Sequence, residues 1–308
     1  MNAGGGYQEL PVFFPAGQET LFGVLTEPRS GPTGATVVLV PGGAGTLDGI
    51  NRNRLWVRLA RDLAARGCHV FRFDYHGAGE STGEGEPLRL DRPFVSDLKG
   101  ATDWLSGQGL HNQILVGSCF GARTALAAAK GMPETRGMIL ATPFVRDVEQ
   151  GQRVATLRAV GWTPRQYLRH VVTPRTIRGL LDADRRRVYL RVARTKLDAL
   201  RRRGAFAAGD GRKSLVSSNF LDPFEDVVAR AIPMLVLFGE DDDAFHEFQQ
   251  ERQGALGHLI DAAGRSIDLK VVPGKIHGLR SLASQESFLD HSMSWLLRQG
   301  HIRAMADV

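Results

Sequence analysis

Cysteine is scarce in this sequence, which has two such residues, Cys68 and Cys119, among 308. Two cysteines cannot build the disulfide framework of a small secreted domain, and both lie in apolar segments typical of buried strands. This scarcity favours a reducing compartment, in which a free thiol stays available as a nucleophile. We therefore expect a cytoplasmic protein without structural disulfides.

Long apolar runs and a leader sequence are also lacking. No stretch approaches the roughly 18 apolar residues that span a bilayer. Residues 1–14 have no basic start followed by an apolar core, so we predict no signal peptide and no membrane partner. Hydrophobic residues make up 43% of the chain and charged residues 23%, as is typical of a soluble globular protein. No metal and no cofactor is predicted.

Acidic residues are rare in one segment, from Arg146 to Lys213, which contains 6 Asp and Glu residues and 18 Lys and Arg residues. This balance of +12 exceeds the net charge of +6 of the whole chain, so the remainder carries −6. The segment is helical in pattern and has no clear strands. We predict a core formed by residues 1–145 and 215–308, with a basic helical cap inserted over residues 146–214.

Strands and helices alternate on both sides of this insertion, which predicts an α/β fold around a mostly parallel sheet. A hairpin is expected over Val12–Pro28, and the apolar run 35–43 is typical of a central parallel strand. After the cap, the pattern predicts a strand over 232–239, one helix over 246–264, a strand over 267–272 and a closing helix over 287–300.

The stretch LVGSCFG indicates a strand, a tight turn and the start of a helix. Gly117 and Gly121 bracket Cys119 as the glycines of a G-x-S-x-G nucleophile elbow bracket serine. Ser118 is out of register with the glycines, so we expect its side chain to point away from the site. In this interpretation Cys119 is the nucleophile, and Phe120 offers its backbone N–H to an oxyanion. A helix N-terminus and a nearby imidazole would lower the thiol pKa below its free value of about 8.5.

An acid and a base follow at the ends of later strands. The strand ending at Gly239 runs into a series of acidic residues, of which Asp242 is our choice, with Asp241 and Asp243 as alternatives of register. His277 follows the last predicted strand and is the proposed base among nine histidines. The order Cys, Asp, His is that of α/β-hydrolases. His76 is the main alternative to His277 as the base. A hydrogen-bonding or substrate-side role is the other possibility for His76.

The loop VPGGAG, after the first long buried strand, is the expected source of a second oxyanion donor, with Gly43 as the first choice and Ala44 as the second. A phosphate-cradling dinucleotide loop is the alternative. The loop does not match G-x-G-x-x-G, and that alternative leaves the downstream Cys, Asp and His without a role.

Together, the segments VVLVPGG, FRFDYHGAGESTG, VGSCFG, VLFGEDDD and GKIHG resemble an α/β-hydrolase of the serine-aminopeptidase-like (hydrolase-4) group. The resemblance covers about residues 12–145 and 215–300, with His76 where the superfamily usually has arginine. It implies an eight-stranded, mostly parallel sheet with helices on both faces and a cap inserted near Phe144. The cysteine elbow resembles those of dienelactone hydrolases and of carrier-to-carrier aminoacyl shuttle enzymes.

Cysteine in place of serine favours thioester substrates and acyl transfer, although hydrolysis remains feasible. We therefore expect an acyl hydrolase or acyltransferase that acts on a small-molecule acyl ester or thioester. The basic cap, with Arg185, Arg186 and Arg187 as candidate contacts, suits an anionic thioester carrier, either acyl carrier protein or coenzyme A. A solvated arginine-rich face is the alternative, and nucleic acid is disfavoured because aromatic residues are few in the cap. Acyl-group elimination on the same fold and a non-catalytic binding protein remain alternative functions.

Overall fold

The computed structural model describes residues 6–29, 31–42, 48–147 and 215–304. The segments before and after the predicted cap pack together into one unit. Apart from its first two residues, the predicted cap 146–214 lies outside the described residues, so its helical structure stays a prediction.

Eight strands form a single sheet in the order β1-β2-β4-β3-β5-β6-β7-β8. The first two strands are the predicted hairpin; β2 also pairs antiparallel with β4, and all the other neighbours are parallel. The predicted mostly parallel, eight-stranded sheet is therefore confirmed. The strands are β1 (Tyr7–Ala16), β2 (Glu19–Pro28), β3 (Thr36–Val40), β4 (His69–Phe73), β5 (Gln113–Ser118), β6 (Thr135–Ala141), β7 (Met234–Gly239) and β8 (Ile267–Val272).

Helices cover both faces of the sheet, so each face has its own buried core. The core on one face includes side chains of α1 and α7, and the core on the other includes side chains of α2 to α6. No described helix is long and apolar enough to cross a membrane. The described helices are α1 (Leu55–Ala64), α2 (Val95–Gly107), α3 (Phe120–Ala129), α4 (Ser218–Ala229), α5 (Asp243–Glu251), α6 (Ala255–Ala263) and α7 (Leu282–Arg298).

The central strands β3, β5 and β7 are buried along their whole length, as their continuous apolar sequences require. In parallel strands the carboxyl ends lie at the same edge of the sheet, and open α/β sheets bind their ligands at that edge. Cys119 follows β5, Asp242 follows β7 and His277 follows β8. The topology thus brings the three predicted catalytic residues to one edge.

Two helices differ from their predicted bounds. The helix predicted over 246–264 is two helices, α5 and α6, because Gly254 is extended (φ −117°, ψ −151°) and interrupts the helical hydrogen bonding. The closing helix begins at Leu282, five residues before the predicted start. Its first turn is stabilised by a capping box in which Ser281 and Ser284 each accept a hydrogen bond from the other's backbone N–H.

Candidate active site

Cys119 occupies the turn between β5 and α3 with a positive φ of 52° and a ψ of −113°. Non-glycine residues rarely adopt positive φ, and such strain persists only where the surrounding structure imposes it. Here the buried strand before the turn and the helix after it fix the backbone. The sharp turn of a nucleophile elbow is therefore present, with the thiol at its apex.

The glycines on either side of Cys119 are required by close backbone contacts. A Cβ atom on Gly117 would lie 2.6 Å from the backbone C and O atoms of Gly121. A Cβ atom on Gly121 would lie 2.4 Å from the carbonyl oxygen of Pro41, at the end of the neighbouring strand. Real Cβ contacts are essentially never shorter than 3.0 Å. The G-x-C-x-G pattern thus follows from the packing of the elbow against its neighbour.

His277 is in hydrogen-bond contact with the thiol. Its Nε2 atom lies 3.1 Å from the Sγ atom of Cys119, although the two residues are 158 positions apart in sequence. The His277 ring also meets the ring of Phe144 edge-on, with centroids 5.1 Å apart and planes at 87°. The predicted base thus lies within proton-transfer distance of the predicted nucleophile.

Asp242 is the acid that packs against His277. It is fully buried, whereas Asp241 is exposed and Asp243 pairs with Lys275 near the surface. One carboxylate oxygen of Asp242 accepts the backbone N–H of His277 at 2.8 Å, and the other accepts the N–H of Gly239 at 2.7 Å. These two hydrogen bonds tie the loop after β8 to the end of β7. Among the three acidic residues, the geometry therefore favours Asp242 as the predicted acid partner of His277.

Burial is the main cause that raises the pKa of Asp242 above its ordinary value. Hydrogen bonds from the N–H groups of Gly239, His277 and Ile276, and the charge of Lys275, act in the opposite direction. A raised carboxyl pKa means that the folded state binds this proton more tightly than the unfolded chain does.

The contribution of Asp242 to stability should therefore decrease as pH rises from 3.8, its ordinary value, through the raised pKa. We expect the free energy of unfolding of the wild type, relative to that of Asp242→Asn, to fall over this range. The slope is at most about 1.4 kcal/mol per pH unit. Urea unfolding of both proteins at several pH values measures this difference. If this difference in unfolding free energy is constant or grows with pH, the pKa of Asp242 is not raised in the folded protein.

Phe120, the predicted oxyanion donor, is the first residue of α3 and is buried. The first N–H groups of a helix have no acceptor within the helix, so its position suits the predicted role. The other candidate donors, Gly43 and Ala44, lie outside the described residues. The hydroxyl of Ser118 is buried and lies 3.4 Å from the carbonyl oxygen of Gly42.

His76 contacts a different acid. Its Nδ1 atom and its backbone N–H both lie within hydrogen-bond distance of the buried Asp97, at 2.7 and 2.8 Å. Its ring packs against Phe94, with centroids 4.6 Å apart. His76 therefore contacts Asp97, whereas His277 is the histidine in contact with the Cys119 thiol. The candidate partner residues Arg185, Arg186 and Arg187 lie outside the described residues.

Three residues that contact predicted site residues were not expected from the sequence: Phe144 contacts His277, Asp97 contacts His76, and Arg123 contacts Cys119. Arg123 had a visible signal, because it is the one charged residue between Gly121 and Ala129, in a helix of mostly apolar side chains. Among the described residues, no group of three or more His, Cys, Asp or Glu side chains could hold a metal ion.

Comparison with known proteins agrees with this architecture. The chain is similar to the crystal structure of a proline iminopeptidase from Mycobacterium smegmatis, with a TM-score of 0.60, 17% identity, and coverage of 94% of this chain and 99% of that one. An esterase from Pyrococcus furiosus gives a TM-score of 0.60 at 16% identity, covering 95% of this chain and 91% of the esterase. A dienelactone hydrolase from Anabaena variabilis gives a TM-score of 0.57 at 13% identity, covering 97% of this chain and 100% of the hydrolase.

At these identities, the likeness to solved structures concerns the fold. No curated protein matches the sequence. The family model Hydrolase_4, described as serine aminopeptidase S33, matches residues 31–281, well over half of the chain. The protein therefore belongs to this family of α/β-hydrolases.

Proposed function

We propose that the protein is an acyl-transfer enzyme that forms a thioester between Cys119 and the acyl group of an ester or thioester substrate. The observation that carries this proposal is the distance of 3.1 Å between the Cys119 Sγ and His277 Nε2 atoms at a strained elbow. A carboxylate oxygen of Asp242 accepts the backbone N–H of His277 at 2.8 Å. A nucleophile, a base and an orienting acid are the elements that such catalysis needs.

In the first half-reaction, His277 accepts the thiol proton and the Cys119 sulfur attacks the carbonyl carbon of the substrate. The C–S bond forms as the carbonyl π electrons move to oxygen, and the N–H of Phe120 stabilises this oxyanion. When the oxyanion collapses, the bond to the leaving group breaks. His277 gives its proton to the departing alkoxide or thiolate.

In the second half-reaction, His277 takes a proton from the acceptor, which is water, an amine, an alcohol or a thiol. The acceptor attacks the acyl-enzyme through a second oxyanion, and the C–S bond breaks. The proton returns from His277 to the Cys119 sulfur, which restores the free enzyme. Asp242, in its buried position, stabilises the imidazolium that forms in each half-reaction.

A thioester is the favoured substrate because its exchange with the Cys119 thiol replaces one C–S bond by another, at little cost in free energy. The predicted basic cap suggests that the acyl group is delivered on an anionic carrier. Clustered cations raise the association rate of an anionic partner, by about 10-fold to 10³-fold at low salt. Acyl carrier protein and coenzyme A both have this charge and both hold thioesters.

One substrate panel tests the reaction and the carrier together. The same acyl group is offered on acyl carrier protein, on coenzyme A, as a small neutral thioester and as an oxygen ester. We expect the thioesters to react faster than the ester. Charge reversal of Arg185, Arg186 and Arg187 to Glu should lower kcat/KM about 10-fold for the carrier-bound substrate at low salt.

The small neutral thioester is the matched control, because its turnover should not change in the charge-reversed protein. Equal kinetics of the two proteins on carrier-bound substrate would eliminate the carrier proposal. Failure of every acyl donor in the panel would count against the acyl-transfer function itself.

A further inference from the structure

A buried arginine lies one helical turn after the nucleophile. The Arg123 side chain has no solvent exposure, and its backbone N–H donates to the carbonyl of Cys119 at 3.2 Å. A guanidinium group is costly to bury unless charged and polar partners surround it. The partners of Arg123 therefore indicate what this position stabilises.

The guanidinium group holds both chain segments that flank residues 148–214. It donates to the carbonyl of Phe144 at 3.0 Å and to the carboxylate of Asp147 at 2.6 Å, both before this segment. After the segment, it contacts the hydroxyl of Ser217 at 3.3 Å. A fourth hydrogen bond, of 3.0 Å, reaches the carbonyl of Leu90. Ser217 also donates to Asp147, so the two flanking segments are joined to each other as well as to Arg123.

Phe144 connects this cluster to the catalytic histidine. Its carbonyl accepts from Arg123, while its ring packs edge-on against the imidazole of His277. Phe144 is 3% exposed, so its buried ring has little freedom to move away from the imidazole. Edge-to-face contacts between rings are directional, and this one constrains the plane of the imidazole that contacts the Cys119 sulfur.

We propose that Arg123 is a positioning residue, which holds Phe144 in place and thereby keeps the His277 imidazole directed at Cys119. This inference rests on the proposed function, because it assigns Arg123 a part in the same site. The residue that orients the base then lies in α3, the helix that begins directly after the nucleophile.

A second ion pair at the same flanking segments provides a matched control. Arg146 pairs with Glu251 of α5, and the other oxygen of that carboxylate accepts the N–H of Leu215 at 3.2 Å. This pair attaches the flanking segments to the core, as Arg123 does, but through α5 and not through the carbonyl of Phe144 that Arg123 holds. Arg146→Gln therefore loosens the attachment and leaves the hydrogen bond from Arg123 to Phe144 in place.

The experiment compares Arg123→Met, Phe144→Leu and Arg146→Gln with the wild type. Alkylation of Cys119 by iodoacetamide is followed by peptide mass spectrometry over a range of pH, and kcat and KM are measured on a small thioester. A free thiol has a pKa of about 8.5, so near pH 6.5 only about one in a hundred is ionised. Loss of the imidazole contact should therefore slow alkylation near that pH about 10-fold or more and shift its midpoint upward.

We expect this shift in Arg123→Met and in Phe144→Leu, with a matching fall in kcat and a KM changed by less than about two-fold, since substrate binding is not altered. Arg146→Gln should keep the wild-type profile. If Arg123→Met does not fold, as judged by its thermal unfolding, Phe144→Leu decides, because leucine keeps an apolar side chain at this position.

The positioning role is overturned if Arg123→Met and Phe144→Leu both keep the wild-type alkylation profile. If the arginine variant does not fold, a wild-type profile in Phe144→Leu alone overturns it. An equal shift in Arg146→Gln would also overturn it, since loosening of the segments would then suffice. If the wild-type Cys119 itself reacts as a free thiol does, the proposed function fails before Arg123 is considered. The two failures are thus distinguishable.

Discussion

Replacement of Cys119 by alanine is expected to lower kcat on the small thioester by on the order of 10⁴-fold or more, because the acyl-enzyme can no longer form. KM should change little, since the methyl group of alanine leaves the rest of the site in place. Alanine, like cysteine, has a Cβ atom, so it adds no backbone strain at the positive φ of residue 119 and the elbow should fold as before. Steady-state kinetics, together with thermal unfolding of both proteins, measures this effect.

Cys68 provides the control for this substitution. It is buried, its thiol donates to the carbonyl of His301 at 3.1 Å, and burial raises its pKa to about 11. At neutral pH this thiol is therefore protonated and unreactive. Cys68→Ala should keep the wild-type kcat. Full turnover in Cys119→Ala would refute the cysteine mechanism.

Replacement of His277 by glutamine should have the second largest effect. Loss of a general base and acid costs about 10²-fold to 10⁴-fold in rate. The remaining activity should rise with pH up to the pKa of a free thiol, about 8.5, because the thiolate then forms without help from imidazole. The wild type should reach its plateau at lower pH. The pH dependence of kcat/KM for both proteins measures this difference.

A double variant tests whether the rate effects of replacing Cys119 and His277 are independent. Residues that act as a unit lose their whole effect when either is removed, so Cys119→Ala/His277→Gln should be about as slow as Cys119→Ala alone. If the two effects multiply in the double variant, Cys119 and His277 act independently. His76→Gln is the matched histidine control, because His76 contacts Asp97 and its loss should leave the pH profile of turnover unchanged.

The sheet, and the edge at which the candidate site lies, were predictable because their signals are local. Continuous apolar runs marked the buried strands, and residues that directly follow such strands had to lie at one edge. Cys119 is predicted as the nucleophile from its two glycines, which the backbone contacts at the elbow require. The position of His277 in a loop after the last strand singled it out from the other histidines.

The choice among three consecutive acids needed the structure, because the register of a turn decides which carboxylate is buried. Asp242 was preferred from sequence, and its burial and contact with His277 support that choice. The contacts of Phe144 with Arg123 and His277 were beyond prediction, since they join residues distant in sequence. The break at Gly254 was missed because a single glycine is tolerated in many helices.

The most direct test of the proposed cysteine mechanism is intact-mass analysis of the protein after incubation with a thioester, followed by peptide mapping. We predict an adduct with the mass of the acyl group on the peptide that contains Cys119, and no adduct on Cys68. Cys119→Ala should remain unmodified. Turnover of the thioester without an acyl group on Cys119, even when acceptors are withheld, would contradict the mechanism.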